Sequence, residues 1–408
     1  MNVLSAVLQA RGIREAMQWF TREKQWINDI HQQLCRVPAP TFLEQQRAEW
    51  MAAQFRAFGC PAQIDRAGNV LAALKPFGAG PYVTLTAHLD TVIAPRLKED
   101  IQADAAGVLR GPGVSDNGAG LAALLAIARA LTLGPAVELG DAGDAELLLV
   151  ANVGEEGEGN LAGMRYLCGK SPLAGAIRSF VVLDGAATDH ITTEALGSRR
   201  FELTFTGPGG HSWSDFGTGN PVHALARAVA RLADIRLNGG PRASLNVGVM
   251  EGGTGVNAIA AQARAKIDIR SESNAKITEL VTLLEQVAEQ AQETENQRAT
   301  AGKVAMKLRE IGSRPAGKLP GDAPLLRHVR AVDAHLGIRS TLEAASTDAN
   351  IPLSLGLPAL SIGAGGQGGG AHTWQEWFNP EGRDLGLKRI LLTAALEMRA
   401  ADASVSTE

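Results

Sequence analysis

His88 and Asp90 stand two residues apart at the end of the apolar run Tyr82 to Ala87. Alternate side chains of an extended segment share a face, so an imidazole and a carboxylate at this spacing can act together. One can bind a metal ion while the other orients it, because a carboxylate on the second ring nitrogen fixes the tautomer a metal requires. Asp116 lies in the glycine-rich run Gly111-Pro112-Gly113-Val114-Ser115-Asp116-Asn117-Gly118-Ala119-Gly120. Alone it would read as a helix cap. The glycines around it imply a backbone that must approach something closely. After the run Glu146 to Asn152 comes Gly154-Glu155-Glu156-Gly157-Glu158-Gly159, in which adjacent side chains point different ways. One glutamate would then face a metal and the other an attacking water. Asp184 follows Phe180-Val181-Val182-Leu183, and His372 follows the glycine-rich stretch Gly363 to Gly370.

Each of these has a plainer explanation on its own: a chance His-x-Asp, a cap, a solvated acidic loop, a turn. Taken together, five candidate ligands fall at or just past strand ends. Ligands of open α/β sheets collect outside the carboxyl edge of the strands. Imidazole plus carboxylate without thiolate suits zinc, and also cobalt or manganese.

The elements that must hold these residues follow from periodicity. Strand-like runs alternate with helical patterns from about residue 40 to 190, the pattern of βαβ units in a largely parallel sheet. Thr41 and Glu44 have the spacing of a capping box opening a helix through Phe58, with Gly59 ending it. A strand before Lys75, a helix from about Ala119 to Leu133 and the strands already named complete this half. Between Gly197 and Ile311 the order becomes strand Arg200 to Thr206, helix Pro221 to Ile235, strands Ala243 to Met250 and Ala261 to Ile269, helix Asn274 to Glu295 and strand Lys303 to Arg309. That is βαββαβ, a ferredoxin-like sandwich. The α/β style then resumes with a helix near Pro324 to Leu336, strands Thr341 to Ala345 and Pro358 to Ile362, and a last helix opened by Asn379 and Pro380. The reading is an α/β domain of residues 1–196 and 313–408 with an α+β domain, 197–312, inserted into it.

Composition limits the partners. The chain has 408 residues, too many for one ordinary core, and 39 basic residues scattered among 43 acidic ones, for a net charge of -4. This argues against a nucleic-acid partner. Cys35, Cys60 and Cys168 are odd in number and far apart, which speaks against a disulfide framework or a cysteine zinc site and fits a reducing cytoplasm. The apolar stretch Val3 to Ala10 is preceded by no positive residue and followed by Arg11, Arg14 and Glu15, so no signal peptide is read. No segment approaches the ~18 apolar residues of a membrane span.

The motifs Ala87-His88-Leu89-Asp90-Thr91-Val92, Gly113 to Gly120, Gly154-Glu155-Glu156-Gly157, Val182-Leu183-Asp184-Gly185, Gly207-Pro208-Gly209-Gly210-His211-Ser212 and Gly370-Ala371-His372-Thr373 span nearly the whole chain. In them the sequence resembles the co-catalytic zinc exopeptidases and deacylases that include glutamate carboxypeptidase, aminoacylase and peptidase T, metallopeptidase family twenty. Ser346-Thr347-Asp348-Ala349-Asn350-Ile351-Pro352, with Gly365 to Gly370, is most similar to the peptidase T side. The resemblance implies a phosphorylase/hydrolase-like catalytic domain whose insert is a lid and dimerisation domain. It implies that Asp116 bridges two metals, that Glu156 and His372 complete one site, and that His88 and Asp184 complete the other. Asp90 would support His88, and Glu155 would be the general base. Two cations would polarise an amide carbonyl and lower the pKa of a bridging water from ~15.7 toward ~7, and Glu155 would pass its proton to the leaving amine. His211 matches an oxyanion donor that in many relatives reaches into the neighbouring subunit of a homodimer. Asn257 and Arg270 match substrate-holding positions, and a guanidinium suits a carboxylate because it binds in two-pronged fashion.

The implied activity is that of an exopeptidase on short peptides, di- or tripeptidase-like. The alternative is an N-acyl amino acid deacylase, because both reactions cleave an amide beside a carboxylate-bearing residue. A non-catalytic binding protein on this scaffold would lack a ligand or the base, and none is missing. Gly363-Ala364-Gly365-Gly366-Gln367-Gly368 fits G-x-G-x-x-G, but no helix is predicted to open there. No intact G-x-S-x-G supports a serine hydrolase.

Overall fold

Strands covered on both faces need apolar side chains at every position. Val70–Ala73 and Tyr82–His88 are buried throughout, and Glu146–Asn152 and Ile177–Leu183 nearly so. The computed structural model describes residues 3–133, 145–237 and 239–399, and there these segments form the middle of a nine-stranded sheet. Glu146–Asn152, Tyr82–His88, Ile177–Leu183 and Ala359–Ile362 run parallel side by side, in that order. Val70–Ala73 and Ala62–Ile64 add antiparallel strands beyond them. All four parallel strands therefore deliver their carboxyl ends to one edge.

Helices Gly118–Thr132 and Arg383–Arg399 pack against Tyr82–His88. The first of these is apolar all round and almost wholly buried, as a helix enclosed on every side must be. Three N-terminal helices that the sequence reading did not resolve, Val3–Gln9, Arg11–Arg22 and Lys24–Cys35, cover this layer. Ile13, Ala16 and Phe20 form the inward stripe of the second.

The chain divides into two compact units, residues 1–195 with 318–408, and residues 196–317. The second has its own core around Phe201, Leu203, Phe205, Ile267 and Leu284. Its antiparallel sheet runs in the order Ala243–Gly252, Gln262–Ser271, Gly197–Thr206, Ala305–Arg314, and helices Pro221–Ala233 and Asn274–Arg298 pack on it. This is the ferredoxin-like order. Buried and exposed residues alternate along Gln262–Ser271 because one face meets the helices. The last strand continues to Arg314, past the expected close of the insert at residue 312.

Two local expectations are corrected. Thr41 and Glu44 do not cap a helix: it runs Gln45–Ala57, and Glu44 at its N-cap makes no side-chain cap bond. Both side chains turn to the loops at the sheet edge instead. Asn379 and Pro380 do not open the last helix, which begins at Arg383; Asn379 ends the short strand Trp377–Asn379, and its Oδ1 accepts from the Glu381 N–H at 3.0 Å. The glycine-rich stretch carries the strand Gln367–Gly369, paired with Trp377–Asn379, so no phosphate-cradling helix follows it. No helix among the described residues is long and apolar enough to cross a membrane.

Candidate metal centre

His88 is the last residue of its strand, Glu155 and Glu156 follow the end of the next, and Asp184 directly follows a third. Asp116 precedes the helix Gly118–Thr132, whose N-cap is its neighbour Asn117, with Oδ1 accepting from the Gly120 N–H at 3.2 Å. This frees the Asp116 carboxylate from the capping role it would have had alone. The close approach foreshadowed by the glycines is real. A Cβ on Gly113 would lie 2.4 Å from Thr91 Cγ2, and one on Gly120 would lie 2.7 Å from the Leu183 carbonyl oxygen.

The two oxygens of Asp116 face different imidazoles. Oδ1 lies 3.1 Å from His88 Nε2, and Oδ2 lies 3.1 Å from His372 Nε2. His372 Nε2 is also 2.9 Å from Glu156 Oε1, and His88 Nε2 is 4.0 Å from Asp184 Oδ1. Two sets of ligand atoms result, each within 4.8 Å of one another: His88, Asp116 and Asp184, and Asp116, Glu156 and His372. A third combination joins His88 with Glu155 and Glu156. Glu155 is thus beside the cluster, but only Glu156 also meets Asp116 and His372.

Asp90 does more than the expected support of His88. His88 Nδ1 bonds to the Asp90 main-chain oxygen at 2.9 Å, with the Asp90 carboxylate farther off at 3.5 Å. That carboxylate also accepts from the main-chain N–H of Glu155 at 3.0 Å, from that of Glu156 at 2.9 Å and from Thr41 Oγ1 at 3.0 Å. Glu44 Oε1 accepts from the neighbouring Gly154 N–H at 3.0 Å. The pair first read as a cap therefore braces the Glu155-Glu156 turn.

The electrostatics are those of crowded acids held by imidazolium protons. Burial alone would lower the His88 pKa, yet its bonds to Asp116 and Asp90 hold it well above the usual imidazole range. The bond to Asp116 lifts His372 to about 9 against the opposing effect of burial. Burial would raise Asp116, but its two imidazole partners keep it below the ordinary carboxylate range. Burial and the nearby Glu155 charge push Glu156 up to about 7, and burial with Asp116 pushes Asp184 well above its usual value. The cluster is short of positive charge. Nitrogen and oxygen donors around such a deficit fit a pair of divalent cations.

Two further acids here escaped the sequence reading. Asp348 is fully buried, accepts from Asn152 Nδ2 at 2.7 Å, and is pushed to about 7 by burial and by Glu155. Asn152 is the register partner of His88. Glu376 bonds the turn that carries Asp116 through three main-chain N–H groups. Asp348 lay inside a string noted as a whole and Glu376 just beyond one, and a lone acid there carries no distinguishing signal.

Within the inserted unit, His211 and Asn257 come together. His211 pairs with Ala258, and the Asn257 carbonyl accepts from the Ser212 N–H at 2.9 Å. His211 Nδ1 accepts from the Trp213 N–H at 3.2 Å, which leaves Nε2–H as a free donor. Arg270 is not with them. It lies near the far end of Gln262–Ser271, roughly 27 Å along the strand at ~3.4 Å per residue, and its Nε is 2.6 Å from Asp268 Oδ2.

Comparison with known proteins agrees with this picture. Residues 193–296 match the M20 peptidase dimerisation domain, and residues 69–207 match peptidase family M28. The chain is 28% identical to the cytosol non-specific dipeptidase of Escherichia coli over 64% of its length and 56% of the relative's. It is 32% identical to a probable carboxypeptidase of Aspergillus terreus over 50% and 47%. The chain thus spans about half the length of these curated relatives. Among solved structures it is similar to a tripeptidase from Staphylococcus aureus (18% identity, 93% and 99% of the two chains, TM-score 0.73). It is also similar to aminopeptidase PepT from Bacillus cereus (18%, 92% and 98%, TM-score 0.71) and to a hydantoinase/carbamoylase family amidase from Burkholderia vietnamiensis (17%, 92% and 97%, TM-score 0.67). At these identities the structural likeness speaks for the fold. With the dimerisation-domain and peptidase matches beside it, the chain is similar to peptidases of the M20 and M28 families.

Proposed function

We propose that the chain is a two-metal amide hydrolase that acts as an exopeptidase on short peptides. The observation that carries this reading is the Asp116 carboxylate, with one oxygen toward each imidazole and a place in both ligand sets. His88, Asp116 and Asp184 would hold one ion, and Asp116, Glu156 and His372 the other. The oxygen and nitrogen donors suit zinc, with cobalt or manganese as substitutes. When bound, such ions supply Lewis acidity to the scissile carbonyl and lower the pKa of water.

Glu155 is the base. Its carboxylate takes a proton from the attacking water and returns it to the leaving nitrogen, and Asp90 fixes the direction of its main chain. The Nε2–H of His211 would donate to the carbonyl oxygen as negative charge develops there. His211 and Asn257 stand too far from Arg270 to grip one short substrate together. Their separation supports a homodimer in which His211 and Asn257 serve one site and Arg270 another. In that case Arg270 exchanges Asp268 for the substrate carboxylate. The insert then acts as lid and dimerisation domain.

The dipeptidase, probable carboxypeptidase and tripeptidase among the relatives favour peptides as substrates. The likeness to an amidase of the hydantoinase/carbamoylase family supports deacylation of N-acyl amino acids as the second reading. A cytoplasmic location fits three free cysteines and the cytosolic relative.

A hydrolysis screen of di- and tripeptides beside N-acetyl and N-succinyl amino acids, run with zinc, cobalt and manganese in turn, tests the substrate class. Peptides should be cut, and cleavage of acyl amino acids alone would overturn the choice. In the same assay Glu155→Gln should keep its metals and lose at least roughly 10²- to 10⁴-fold in turnover, whereas Glu156→Gln should bind metal more weakly. Exchanged phenotypes would mean the two roles are reversed.

Metal uptake should also release protons. His372, at about 9, is protonated at neutral pH, and Glu156, at about 7, is partly so. A metal ligand must give its proton up, so the bound form holds fewer protons and affinity rises with pH between about 7 and 9. Calorimetric titration at pH 7 in buffers of different ionisation enthalpy should register release of about one proton or more per protomer. Uptake with no proton released would contradict the assigned ligands.

Mixing two inactive chains tests the action of His211 across the dimer. His211→Ala and Glu155→Gln protein, unfolded and refolded together, should form hybrids that carry one intact site and regain activity. Hybrids seen by chromatography but without activity would confine His211 to its own subunit or remove it from the chemistry.

A further inference from the structure

Asp116 is the one side chain common to the two ligand sets, so the loop that carries it must hold it in place. Three main-chain N–H groups of that loop converge on one acceptor. Gly113 N–H donates to Glu376 Oε2, and Ser115 and Asp116 N–H both donate to Glu376 Oε1, each at 2.7 Å. The Glu376 main-chain oxygen accepts from the Gly111 N–H at 2.9 Å. Neighbouring amides aimed at one anion form a concave site for it. Here the anion is a carboxylate four residues beyond His372. Four hydrogen bonds therefore join the loop of Asp116 to the loop of His372.

We propose that Glu376 is a positioning residue that sets the shared carboxylate of Asp116 for both metal ions. The inference rests on the two-metal reading above. Glu376 is 2% exposed and forms no ion pair among the described contacts, so the cost of burying its charge is offset only in part, by these amides and by the charge of buried Arg47 nearby. Burying a carboxylate is costly unless its lone pairs are satisfied. A turn that needed only a cap could have used a serine or asparagine. The loop also packs closely on Thr91, whose Cγ2 would lie 2.4 Å from a Cβ on Gly113. With Thr91 packed against it and Glu376 holding its amides, the loop is held where Asp116 meets both imidazoles. The Asp116 N–H is itself one of the three donors. Loss of the anion therefore displaces the shared ligand, and both ions should feel it.

The test is titration of metal-free protein with cobalt, followed by its visible absorption, alongside thermal melting of the same samples. Glu376→Gln removes the charge and turns an amide NH₂ toward N–H donors. Partners of this kind typically change metal affinity by ~10- to 100-fold. The expected result is wild-type protein binding two cobalt ions per protomer, Glu376→Gln binding both more weakly by roughly that factor, and Glu376→Asp falling between them. A residue that only stabilises the fold would lower the melting temperature and leave the cobalt affinities of the folded protein unchanged. Wild-type affinities in folded Glu376→Gln would overturn the inference while leaving the two-metal reading intact. Wild-type protein that binds no cobalt would overturn both. If Glu376→Gln does not fold, Glu376→Asp decides: weakened binding supports the inference, and unchanged binding defeats it.

Discussion

The rest of the structure depends on the mutual repulsion of carboxylates gathered at one sheet edge. Asp116, Glu155, Glu156 and Asp184 take part in ligand sets whose atoms lie within 4.8 Å of one another. Two like charges at ~4.8 Å repel by about 3 to 4 kcal/mol at an effective dielectric of ~20. Without added cations the cluster answers in the only way available, by holding protons on His88 and His372 and raising Glu156 and Asp184. Such an arrangement spends stability, and it persists because a rigid scaffold enforces it.

That scaffold has a second layer made of the same residue types. Asp90 holds the main chain of Glu155 and Glu156, Glu44 holds Gly154, and Glu376 holds Gly113, Ser115 and Asp116. Buried Arg47 ties the strand end to the preceding helix by donating to the carbonyls of Val37 and Leu89, and it brings positive charge toward Asp90, Glu376 and Glu44. Acids that face the cluster cannot order themselves, because each repels the next. Acids that face backbone amides can, and they fix the loops from behind. Parallel strands set the starting points, with the registers of His88 beside Asn152 and Ile362 beside Leu183 bringing the loop origins level.

Much of this was legible in the sequence because it follows a period. Four strand ends could be read from apolar runs, and the residues at or beyond them, with Asp116 before its helix, were the candidates that the structure brings together. The βαββαβ order of the insert was legible for the same reason. What escaped depends on the partner rather than on spacing. Thr41 and Glu44 have the interval of a capping box, but whether their oxygens meet a helix or the Asp90 and Gly154 loops is decided by the tertiary fold. Glu376 and Asp348 act across separations of about 260 and 196 residues, and no local pattern announces such a contact. The role of Asp90 was only partly visible, since the alternation that aligned it with His88 says nothing about the amides of Glu155 and Glu156.

All of these features converge on Asp116, the one carboxylate that both ligand sets share. Metal analysis of purified wild-type protein and of Asp116→Ala is therefore the most direct test. Two divalent ions per protomer in the wild type and the loss of both in the variant are the predicted result. An Asp116→Ala protein that still holds two ions would contradict the account.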